Sequence, residues 1–155
     1  MGQTGNVSFT MDQLKLAALD VEDLEVVSAH IQDAVLTVGD IRFLPKEQRA
    51  IFAMNRFVWD KAADKRTKEH ERRRAALAVS QVSSMKAVGI RQDAKAAVLE
   101  LLAVTFEETE APAGRIRLDF AGGGVLLLEV GCIEVQLSDL GAAWGTPNLP
   151  THELD

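Results

Sequence analysis

From Arg115 to Phe120 the chain alternates without a fault: Ile116, Leu118 and Phe120 are apolar, while Arg115, Arg117 and Asp119 are charged. Successive side chains of an extended strand point to opposite faces, so a period of two describes a strand with one oily side and one wet side. Gly122, Gly123 and Gly124 follow, and glycine enters positive φ without the steric cost other residues meet there. Val125 to Val130 then returns as a second apolar run. This is a β-hairpin, and it sets the class of fold the rest of the chain must complete.

Other segments carry the same period. Leu14 to Leu19 reads as a short first strand. Val35 to Leu44 is extended with a break near Gly39 and Asp40. After a polar turn at Pro45 to Gln48, Ala50 to Trp59 runs back, with Phe52, Met54 and Val58 on one face and Ile51, Ala53, Phe57 and Trp59 on the other. Ala75 to Ile90 reads as one long, bulged or kinked strand, and Val98 to Glu107 as another.

Two segments point to helix instead. Asp20 is suited to cap a helix by accepting from the amide of Asp23, and Glu22 and Asp23 place negative charge where the helix dipole favours it. Leu24, Val27 and Ile31 then recur at helical spacing, giving a helix over about Val21 to Asp33. Cys132 to Leu140 is ambiguous. Ile133, Leu137 and Leu140 fit a helix stopped by Gly141, and the same residues fit a strand; helix is the favoured reading.

The expected fold is therefore α+β: a curved, mainly antiparallel sheet of six or seven strands with one early and one C-terminal helix. A partly closed, pleckstrin-homology-like sheet capped by the last helix is the more specific expectation. Residues 1–12 are small and polar and read as a flexible leader. Residues 13–145 form one globular domain, and residues 146–155 an irregular tail.

Composition narrows the functional classes. With 155 residues, 47% of them hydrophobic and 26% charged, the chain has the makeup of an ordinary folded domain. Its one cysteine, Cys132, leaves no disulfide framework to build. The three histidines, His30, His70 and His152, have no metal-ligand spacing, so no metal and no cofactor is expected. No signal-like start and no apolar run of membrane-spanning length occur, which points to a cytoplasmic protein with no membrane partner.

Catalytic constellations are equally sparse. Gly122 to Gly124 lead into a strand, whereas a phosphate-cradling loop leads into a helix, so the turn is the stronger reading. Cys132 has no histidine close in sequence to act as base, and Glu129 and Glu134 nearby oppose a thiolate. Carboxylates pair at Glu107 with Glu108, Glu129 with Glu134 and Asp20 with Asp23, the last explained by capping. No catalytic residue is assigned.

One feature of the charge pattern is unusual. The formal net charge is −6, yet seven basic residues lie between positions 61 and 74: Lys61, Lys65, Arg66, Lys68, Arg72, Arg73 and Arg74. Three acidic residues share that segment. It reads as an exposed loop or a solvated helical turn, and its cations are candidates for binding RNA or another polyanion. Against that, Trp59 is the one aromatic neighbour available for stacking, and the acidic remainder repels a long polyanion.

Several stretches taken together look familiar. They are Leu14 to Asp20, Asn55-Arg56-Phe57 with Trp59 and the Arg72 to Arg74 run, and Leu118 to Gly124 leading into Glu129-Val130, Cys132-Ile133-Glu134. As a set they resemble a family of small bacterial proteins defined only as a domain of unknown function, covering about Leu14 to Trp144. The resemblance implies a bacterial cytosolic protein and brings no activity or catalytic residue with it. Three readings stay open: a non-enzymatic binding or assembly domain acting on a protein partner or as a homo-oligomer, a polyanion binder using residues 61–74, and an enzyme with a dispersed site. Trp59 and Trp144 are natural contact residues for the first.

Overall fold

The computed structural model describes residues 13–58 and 72–141. The expected leader, the expected tail, both tryptophans, His70 and the cations Lys61, Lys65, Arg66 and Lys68 lie outside the described residues.

Ten strands and one α-helix are found among the described residues. In chain order they are β1 (Lys15–Ala18), α1 (Val21–His30), β2 (Val35–Thr37), β3 (Ile41–Leu44), β4 (Arg49–Phe57), β5 (Arg72–Val79), β6 (Val82–Val88), β7 (Val98–Glu108), β8 (Gly114–Phe120), β9 (Val125–Val130) and β10 (Val135–Asp139). Neighbours in the sheet run β1-β10-β5-β4-β2-β7-β8-β9-β6, with β3 also on β4, and every pairing is antiparallel. The class is α+β as expected, with more strands and one helix fewer.

The two differences have physical causes. Cys132 to Leu140 is not a helix: its core is β10, hydrogen-bonded on both sides, to β1 through Lys15↔Ser138 and to β5 through Val135↔Val79. Val135 and Leu137 are buried while Gln136 is exposed, the alternation of a strand. A helix there would strand two edges of backbone donors and acceptors, and that long-range pairing outweighs local spacing. Likewise the long run from Ala75 to Ile90 is two strands, β5 and β6, divided at Ser80 and Gln81. Gln81 adopts φ +63°, a left-handed conformation with no glycine or asparagine to announce it.

Alternation decides what is inside. Rows such as Ala18, Val135, Val79 and Ala50, or Leu137, Leu77 and Phe52, face inward across β1, β10, β5 and β4. Ile116, Leu118 and Phe120 of β8 and Leu126, Leu128 and Val130 of β9 do the same from the far half of the sheet. All of them belong to one hydrophobic cluster, joined by Leu24, Val27 and Ile31 from α1 and its C-terminal end. The helix starts as read from sequence, with the Asp20 carboxylate accepting from the Asp23 amide at 2.8 Å. It packs on β1 and β7, and Ser28 Oγ accepts from the Val104 amide at 3.0 Å, close to the register shift in β7.

Candidate functional site

The outer side of β1, β10, β5, β4 and β3 is built by the residues that alternation turns away from the core. One row across the strands is Ala17, Gln136, Ala78, Ile51 and Arg42. The next is Lys15, Ser138, Ala76 and Ala53. Four alanines and a serine give a low floor, interrupted by Gln136 on β10 and Ile51 on β4. Long side chains elsewhere on a solvated sheet face would screen the backbone; here the charged ones stand around the margin.

That margin is cationic. Lys15 and Arg42 are exposed at opposite ends of the two rows. Arg74, opposite Asn55, donates to Asn55 Oδ1 and Asp40 Oδ1, each at 3.2 Å. Arg72 lies with its guanidinium carbon 4.7 Å from the centre of the Phe57 ring, a cation–π contact that holds it over the sheet. Arg49 alternates to the same side, and its Nε is shielded from solvent without a hydrogen-bond partner among the described residues.

The outer face of the other half of the sheet treats charge differently. Arg115 donates from Nε to Glu129 Oε2 at 2.7 Å and reaches Glu107 Oε1 at 3.5 Å. The hydrogen bond from Arg115 to Glu129, reinforced by the carboxylate's charge, raises the guanidinium pKa of Arg115 above its ordinary value. Arg117 donates to Asp119 at 2.8 Å. Each of these cations is answered by a carboxylate on its own face.

The candidates read from the sequence are thus divided by the fold. Of the basic segment, Arg72, Arg73 and Arg74 begin β5 and are not part of an exposed loop or helical turn. Arg72 and Arg74 face outward, whereas Arg73 lies opposite the buried Arg56 on the inner side. Glu129 pairs through Arg115 with Glu107 and not with Glu134, which instead accepts from Gln81 at 3.1 Å. The glycine triplet is a turn between strands, with Gly122 and Gly123 at φ +91° and +100°. His30 Nδ1 sits 2.9 Å from the Val26 carbonyl oxygen in its own helix. Among the described residues no cluster of three or more metal-ligating side chains is present. No helix there is long and apolar enough to cross a membrane.

Sequence reasoning passed over Lys15, Arg42 and Arg49 because they are isolated along the chain. Only the register of five strands gathers them. It also passed over Arg56 and Asp139, which form a bidentate pair inside the sheet, Nε to Oδ1 at 2.8 Å and Nη2 to Oδ2 at 2.9 Å. A separate shallow groove of about 220 Å³ runs between α1 and β7, lined by Val21, Leu24, Glu25, Val104, Thr105 and Phe106. Glu25 is its one ionisable side chain, which is too little for acid–base chemistry.

A family model described as "Protein of unknown function (DUF2948)" matches residues 14–152. No curated protein and no solved structure matches the chain.

Proposed function

The chain belongs to this family of proteins of unknown function, and we propose that it is a non-enzymatic binding or assembly domain whose contact surface is the outer face of β1, β10, β5, β4 and β3. The observation that supports this reading is the contrast between the two outer faces. One keeps its arginines neutralised by carboxylates beside them. The other surrounds a floor of Ala17, Ala53, Ala76 and Ala78 with Lys15, Arg42, Arg49, Arg72 and Arg74, for which Asp40 is the carboxylate in contact among the described residues. Small floor residues let another backbone approach closely, and arginine is enriched where protein interfaces form. Desolvating such a face is favourable when the partner brings carboxylates to the rim.

Polyanion binding is the alternative. The same cations serve it electrostatically, but this floor has methyl groups where base stacking requires rings, and Phe57 is already covered by Arg72. An acidic protein surface fits the face better than RNA.

The test uses NMR of the full chain with labelled alanine methyls and a polyglutamate peptide as probe. Ala17, Ala53, Ala76 and Ala78 are expected to shift, the effect fading as salt is raised, while alanines remote from the face stay still. Shifts spread evenly over the molecule, or larger shifts with an RNA oligonucleotide of equal charge, would refute the reading.

A further inference from the structure

The chemistry that would complement this face is present on the chain itself. Asp20, Glu22, Asp23 and Glu25 fall within six positions at the start of helix α1, whose single basic residue is His30 at the far end. Glu22 and Val26 are four apart and so share a side of the helix, with Glu25 beside them. Val26 is 48% exposed and Val21 44%, on a helix whose other side fills the core with Leu24 and Val27. Leu19, just ahead of the helix, is 70% exposed. The outward side of α1 is therefore a short acidic ridge with Val26 on it, flanked by Val21.

Resting on the reading above, we infer that the occupant of the cationic face is α1 of a second copy of this chain. Val26 would lie on the alanine floor, and Glu22 and Glu25 would meet cations of the rim such as Lys15 and Arg42. The two surfaces are different patches of one molecule, α1 lying against β1 and β7 while the cationic face is the outer side of β3, β4, β5, β10 and β1. The contact is consequently head to tail. Each copy retains one free patch of each kind, so association continues into a ring or an open chain of copies, where a two-fold dimer would stop at two.

This geometry has a distinctive test. The full chain is examined by sedimentation velocity at low and at high salt, together with two double variants: Lys15→Gln/Arg42→Gln, which removes two cations from the face, and Glu22→Gln/Glu25→Gln, which removes the two outward carboxylates of the ridge. All four positions are exposed, and thermal melts of each variant confirm folding. The wild type is expected to sediment as multimers at low salt and to fall back to monomer at high salt. Each double variant loses its own patch. Alone, a copy of either kind lacks one member of the complementary pair and is expected to stay monomeric. Mixed at low salt, the two variants retain one wild-type face and one wild-type ridge between them, and a species of two chains is expected with nothing larger.

Val26→Ser, which keeps every charge, is expected to weaken the wild-type assembly. A wild type that stays monomeric at low salt and high concentration would overturn the inference, as would multimers that survive either double variant, or a mixture that remains monomeric. If polyglutamate still shifts the alanine methyls in a monomeric wild type, the occupant is wrong and the face stands. If it does not, the face goes as well.

Discussion

Arg56 and Asp139 are 83 residues apart in the chain and meet inside the sheet in a two-pronged ion pair whose side chains are almost fully withdrawn from water. Arg56 Nη1 also donates to the Phe57 carbonyl at 3.3 Å, and Asp139 Oδ2 accepts from the Leu14 amide at 2.8 Å. The carboxylate therefore ties three strands at once: β4, its own β10, and the start of β1.

Removing one partner leaves the other charged and unsolvated. Asp139→Ala and Arg56→Ala are each expected to lower stability by about 3–5 kcal/mol, measured by urea unfolding. The double variant Arg56→Met/Asp139→Leu is expected to lose less than either single change, because no orphan charge remains. Additive losses would show that the pair is not coupled.

Gly114 opens β8 against the end of β7. A Cβ at that position would fall on the Phe106 ring and 2.5 Å from the Glu107 carbonyl oxygen, and backbone cannot step aside as a side chain can. Gly114→Ala is expected to cost about 1–3 kcal/mol by overpacking. Thermal unfolding of this variant beside Ala113→Gly would separate crowding from ordinary backbone effects.

In the core, Leu77 and Leu137 face each other across β5 and β10 and are wholly buried. Leu77→Ala or Leu137→Ala should cost about 2–5 kcal/mol, whereas Leu102→Ala, at a site 43% exposed, should fall within about 0.5 kcal/mol of wild type. The same unfolding curves measure all three.

The Asp20 cap makes a local prediction. Asp20→Ala is expected to cost about 1 kcal/mol through the lost bond to the Asp23 amide, and Asp20→Asn to retain most of it. Hydrogen exchange at the Asp23 amide reports the change directly.

Local patterns carried much of this architecture. The β8–β9 hairpin, the break between β2 and β3, the return through β4 and the capped start of α1 all follow from a period, a turn residue or a side-chain acceptor within a few positions. The failures share one cause, which is that the deciding partner was remote in sequence. β10 is extended because β1 and β5 lie on either side of it, and neither is visible from Cys132 to Leu140 alone. The corner at Gln81 is forced by the sheet and not by its own side chain. The cationic face was half legible: Arg72 and Arg74 stood out as part of a run, but Lys15, Arg42 and Arg49 join them only through cross-strand register.

The pairing of Lys15 with Ser138 has a consequence for how the protein is made. β1 leaves the ribosome before its sheet partner, β10, which is synthesised about 120 residues later. The β7–β8–β9 hairpins are free to form from contacts close along the chain, whereas the β1 side can close only once β10 has emerged. A nascent chain halted before β10 would hold Leu16 and Ala18 in the open, a state that chaperones are equipped to shield.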